Sequence, residues 1–168
     1  MYLLIGLLGI VFFAGNSTQS AIALSDIGQK LDTLVPNFGQ DAIDRLTSVA
    51  DALTNVGITG NLQLICLAQI LHETGLFRPD LANYHLMDQF NYAGLKDTSG
   101  EYLALSSYDD FATHYKNFLN HYPGTLTATT PAQFVNALVA NPQHMYFTDG
   151  KGVYLKDVSH YYNLLNDL

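Results

Sequence analysis

The chain has 168 residues, of which 48% are apolar and only 13% charged, with a net charge of −8 and a pI near 4.8. That composition supplies one cored domain plus an extension. The absence of any Lys/Arg run excludes nucleic-acid recognition through a basic patch, and the single cysteine, Cys66, excludes an intrachain disulfide and a cysteine-built zinc site.

No charged side chain occurs from Met1 to Ser25, and Met1 to Gly15 is a near-continuous apolar run. Two readings compete for residues 1–24. A secretory signal has an apolar core of this length, and Ala21-Ile22-Ala23 offers a small-residue cleavage site. A membrane anchor needs ~20 apolar residues, which the uncharged stretch through Leu24 supplies. The segment lacks the Lys or Arg that normally opens a signal peptide, which favours an uncleaved apolar anchor helix in contact with lipid. Cleavage would instead give a secreted protein.

Residues 25–40 read as a linker with a short helix. Leu24, Ile27 and Leu31 lie at helical spacing before Pro36-Asn37-Phe38-Gly39 breaks the pattern. Asp41 to Asn55 is amphipathic, with Ile43, Leu46, Val49 and Leu53 recurring at three and four. Gly57 and Gly60 mark a turn, and Asn61 is a candidate N-cap for the next helix. Leu62 to Leu71 is apolar on almost every side, interrupted only by Gln63 and Gln69, as expected of a buried central helix. Cys66 lies within it and reads as a small buried hydrophobe.

Further along, a short helix is expected around Leu81 to Met87. Leu95 to Leu105, with Gly100 among Tyr, Leu and Thr residues, predicts a small β-hairpin. Ser107-Tyr108-Asp109-Asp110 opens a helix that carries Phe111, Tyr115, Phe118 and Tyr122 on one face and stops at Pro123-Gly124. Thr130-Pro131 is a cap followed by a first-turn proline. A last helix is expected from Asp157 to Leu165.

Glu73 closes the buried helix. Burial disfavours an ionised carboxylate. With Gly75 as the left-handed residue past the helix end, Glu73 falls in the last turn, where the helix dipole disfavours negative charge as well. Both effects favour a proton-bearing carboxyl group, the general acid that glycosidic cleavage requires. His72-Glu73 also begins like a His-Glu-x-x-His zinc motif, but position 76 is Leu. Neither a metal nor a cofactor is expected.

Three blocks in order carry a family resemblance. Leu67-Ala68-Gln69 with Glu73-Thr74-Gly75, then Asn91-Tyr92-Ala93-Gly94-Leu95-Lys96, then Tyr146-Phe147-Thr148-Asp149 with Tyr154 beyond, resemble the segments of lysozyme-like cell-wall glucosaminidases, which include flagellar muramidase and autolysin domains. The resemblance spans roughly residues 61 to 165. It departs at Leu76-Phe77, where the family often has Trp-Gly, and in the four residues between Asp149 and Tyr154, where the family usually has two. The stretch from Lys96 to Tyr108 is also shorter than the family's hairpin.

What the resemblance implies is a mainly α, lysozyme-like α+β domain over residues 41–168, with a small β-hairpin, preceded by the N-terminal apolar helix. The implied activity is that of a glycoside hydrolase, of endo-β-N-acetylglucosaminidase or muramidase type, acting on peptidoglycan glycan strands. Glu73 would protonate the leaving oxygen. Tyr146 would lie near the reacting sugar, and Gln69, Asn91, Tyr92, Gly94, Lys96 and Tyr154 would contact substrate. Glu101, near the hairpin position, is the candidate second carboxylate and Asp97 its runner-up. Their required distance from the acid is about 6.5–9.5 Å for inversion and about 5–5.5 Å for retention. A lytic transglycosylase, which needs one acid, is the alternative chemistry. Its usual Ser after the Glu and its Gly-Leu-Met-Gln block are missing. A non-catalytic wall-binding or structural module is the alternative function. The expected setting is a bacterial envelope or a membrane-containing virion, with envelope or virion proteins as further partners.

Overall fold

The computed structural model describes residues 38–78, 84–140 and 150–166. Of these, 67% are helical and none forms a strand. In chain order the elements are α1 (Gly39–Asn55), α2 (Gly60–Glu73), the short α3 (Tyr84–Asp88), α4 (Tyr108–Asn120), a 3-10 turn (Thr125–Thr127), α5 (Pro131–Val139) and α6 (Lys151–Asn166). The expected α+β domain with a hairpin is therefore corrected to an all-helical arrangement among the described residues. The apolar segment 1–24, the linker helix and Tyr146 lie outside those residues. No described helix is long and apolar enough to cross a membrane.

α2 is the hub. Ile65, Cys66, Leu67, Ala68, Ile70 and Leu71 are all fully buried. It packs against α6 on one side and α1 on another, while α1 rests on α4 and α5 on α6. The amphipathic pattern of α1 explains its seat: Ala42, Leu46, Val49, Ala50 and Leu53 turn inward, and Asp41, Asp44 and Asp51 stay in solvent. Burial pushes the Cys66 thiol up to about 12, as expected of an unreactive core cysteine.

The helix ends are set by local chemistry. Past α1, Gly57 takes φ +82, its N–H bonds Thr54 O and the Ile58 N–H bonds Leu53 O. Gly75 does the same past α2 with φ +55, while the Gly75 N–H reaches His72 O and the Leu76 N–H reaches Leu71 O. Both are Schellman closures. α2 starts after Thr59 rather than at an Asn61 cap, and Thr59 makes no side-chain cap bond. Ser107 caps α4 by accepting from the Asp110 N–H, and Thr130 caps α5 by accepting from the Gln133 N–H.

The hairpin is reduced to a loop in which backbone and side-chain groups share the hydrogen bonds. Only one antiparallel bridge forms, between Lys96 and Tyr102. The Asp97 carboxylate accepts from the Ser99 N–H, the Ser99 hydroxyl and the Glu101 N–H. Asn91 donates to the carbonyls of Leu95 and Leu103 and accepts from the Leu95 N–H. These side-chain bonds accompany two backbone bonds across the loop, from the Asp97 N–H to Glu101 O and from the Leu103 N–H to Leu95 O.

Candidate active site

Glu73 is half-buried at the end of α2. Its Oε1 accepts a hydrogen bond from the Tyr154 hydroxyl at 2.8 Å. Tyr154 accepts in turn from Gln69 Nε2 at 2.9 Å, and Gln69 Oε1 accepts from the Tyr115 hydroxyl. Gln69 and Tyr115 are fully buried and Tyr154 is 2% exposed. Three helices thus place one polar chain inside the core: α4 supplies Tyr115, α2 supplies Gln69 and Glu73, and α6 supplies Tyr154. Gln69 and Glu73 share a face because they are one turn apart.

Tyr154 reaches Glu73 because α6 begins at Lys151, well before the Asp157 expected from sequence. The ring of His72 meets Tyr154 edge-on at 5.0 Å, and His72 Nδ1 lies 3.8 Å from Asp157 Oδ2. Thr74 is buried behind the acid: its hydroxyl donates to Ile70 O and accepts from the Phe77 N–H. Leu76 and Phe77 follow Gly75 into the left-handed region, at φ 65 and 57. That conformation costs roughly 1–2 kcal/mol per residue. Burial of Phe77, 4% exposed, contributes about 1.5–3 kcal/mol and offsets it.

The other sequence candidates sit elsewhere. Asn91 is 2% exposed and braces the 91–105 loop through the three bonds described above. Tyr92 is buried among Phe77, Phe90, Tyr108 and Phe111. Its hydroxyl makes no hydrogen bond of normal geometry; Tyr108 and Arg45 lie beside it, and burial pushes it above the usual phenol value. Gly94 is half-buried with φ +60. Lys96 is exposed, with Nζ 4.7 Å from the centre of the Tyr102 ring. Glu101 is exposed on the turn that Asp97 organises, and hydrogen bonds hold the Asp97 carboxyl below its ordinary value, first among them that from the Ser99 hydroxyl. Gln69, Glu73 and Tyr154 therefore come together, while Asn91, Tyr92, Gly94, Lys96 and Glu101 belong to the loop and its aromatic base.

A cavity of about 530 Å³ opens beside that base, lined by Asp41, Asp44, Arg45, Met87, Asp88, Phe90 and Tyr108. None of the sequence candidates lines it. No group of three or more metal-ligating side chains occurs among the described residues.

Sequence reasoning missed Tyr115 as a member of the polar chain. The signal was available: a phenol on the inner face of α4 must find a partner for its hydroxyl, and Gln69 is a polar side chain on the buried helix. No protein-family model, curated protein or solved structure matches the chain, so the family resemblance rests on the three sequence blocks.

Proposed function

We propose that the chain is a peptidoglycan hydrolase in which Glu73 protonates the leaving oxygen of a β-1,4 glycosidic bond. One observation carries this reading above the others. A half-buried carboxyl group ends a buried, largely apolar helix and accepts at one oxygen from a buried tyrosine. Such a group is withdrawn from bulk water yet oriented, as a general acid must be. The proposal concerns chemistry and does not depend on a lysozyme-like α+β fold. Exposed Lys96 and Tyr102 offer a surface for glycan contact. Lipid contact through residues 1–24 would deliver the enzyme to a bacterial envelope or a membrane-containing virion.

The test is lysis of purified peptidoglycan. Glu73→Gln should lower the rate by about 10²- to 10⁴-fold without changing the melting temperature greatly. Mass spectrometry of the products then names the bond: reducing-end N-acetylglucosamine, reducing-end N-acetylmuramic acid, or an anhydro product. Equal rates for the two proteins would remove Glu73 from the chemistry.

A second reading follows from a separate observation. Tyr154 and Glu73 tie α6 to α2, and Asn91, Tyr92 and Gln69 are buried, so the acid would be a structural tie in a wall-binding module. Wall binding by both proteins, with lysis by neither, selects that reading.

A further inference from the structure

The cavity of about 530 Å³ takes no part in the chemistry proposed for Glu73, yet it is built like a ligand site. Its volume lies within the roughly 300–1,000 Å³ that small ligands fill. Exposed Asp41, Asp44 and Asp88 line it together with the guanidinium of Arg45, so three negative charges face one positive. The start of α1 accounts for Asp41, which lies in the first turn. It does not account for Asp88, which closes α3, where a helix dipole disfavours negative charge. A cavity lined mainly by one sign of charge concentrates the opposite ion.

Its apolar wall is aromatic. Phe90 meets Tyr108 edge-on at 5.2 Å and 84°, so two half-buried rings form a corner. Tyr92 stacks on Tyr108 at 5.7 Å and 4° and covers one face of that ring from the core side. Tyr92 is 1% exposed, and its hydroxyl has no hydrogen bond of normal geometry. That hydroxyl lies beside Tyr108 and Arg45, which both line the cavity. Buried hydroxyls are nearly always satisfied, so the inner wall holds a polar atom whose partner is missing.

We propose that this cavity binds an amino sugar whose nitrogen is a free ammonium group. The choice of a sugar rests on the glycan-directed reading above; the choice of a free amine rests on the charge of the lining. The aromatic corner takes the C–H face of a pyranose and attracts its cation. The carboxylates accept charge-assisted bonds from the ammonium group, and a sugar hydroxyl supplies the partner that the Tyr92 hydroxyl lacks. An N-acetylated nitrogen is neutral and forgoes the attraction of the carboxylates. The cavity also lies toward the catalytic end of the fold. α1 and α2 pack together and are joined by Val56 to Thr59 alone, so the start of α1 and the end of α2 lie at the same end of a helical hairpin.

The experiment is calorimetric titration of the full chain with the β-1,4-linked trimer of glucosamine and with its fully N-acetylated counterpart. It is run at about pH 6, below the ordinary amine range and above the carboxylate range. The free-amine trimer should bind about fivefold tighter or more. Raising the salt from about 0.05 M to about 1 M should erase that preference. The double variant Asp44→Asn with Asp88→Asn should bring the two affinities within about twofold. Both aspartates are exposed, and circular dichroism checks that the variant is folded. Should it not fold, Asp88→Asn alone decides, by a reduced preference. No binding of the free-amine trimer, equal or tighter binding of the acetylated one, or a preference that the folded variant keeps in full overturns the proposal. Binding is read without lysis, so a chain that prefers the amine and lyses nothing counts against Glu73 alone. A chain that lyses peptidoglycan and shows no preference counts against this cavity alone.

Discussion

Gly75 shows how much one residue carries near the acid. Its φ of +55 lets the Schellman closure form directly after Glu73. A side chain there meets the steric penalty of left-handed backbone. Gly75→Ala should therefore destabilise the protein by about 1 kcal/mol in urea unfolding. Part of this detail was readable from sequence. Gly75 as the stop of the buried helix, Cys66 as a core residue and the two glutamines as its polar interruptions all followed from type and spacing. The partners of those glutamines did not, because a side chain's partner across helices is a tertiary fact. Gln69 read as a substrate contact lies in the core, and Asn91 read the same way braces its own loop.

At the scale of elements, caps and turns decide where helices begin. Ser107 accepts from the Asp110 N–H, and Asp110 accepts from the N–H and hydroxyl of Ser106. The hydrogen bond from the Ser106 backbone is the first cause holding the Asp110 carboxyl below its ordinary value of 3.8. A carboxyl depressed on folding stabilises the native state above its unfolded value, and that contribution disappears as pH falls through the folded one. Ser107→Ala should cost about 1 kcal/mol at every pH. The cost of Asp110→Asn should instead shrink as thermal unfolding is repeated from about pH 5 down to pH 2. Helices with a regular apolar stripe, α1 and α4, were legible from periodicity. α6 was legible only in its second half; buried Tyr154 and Val158 belong to a helix that starts at Lys151, before the expected Asp157. The hairpin expectation failed because alternation of Tyr and Leu does not fix how far pairing runs: it stops at one bridge, between a turn organised by Asp97 and a base braced by Asn91.

At the scale of the whole molecule, fold class did not follow from the family resemblance: the described residues are 67% helical with no strand, and one bridge stands in place of a hairpin. The role proposed for the N-terminal segment has its own test. A chain lacking residues 1–24 should be recovered in the soluble fraction, away from lipid vesicles that bind the full chain, and should lyse purified peptidoglycan at the full-chain rate. Loss of lysis with the folded domain intact would mean that the segment does more than deliver the enzyme.

Gln63 carries a wider consequence. Its amide nitrogen reaches the carbonyl of Ala50 at 2.7 Å and the hydroxyl of Thr54 at 2.8 Å, so it keys the middle helix to α1, while Gln69 keys the same helix to α4 and α6. An otherwise greasy cylinder can rotate or slide among greasy neighbours with little to choose between settings. Two amide keys on different sides of it leave one angular setting in which both locks are filled. The carboxyl group at its tip inherits that setting, and so its aim is fixed by two buried amides.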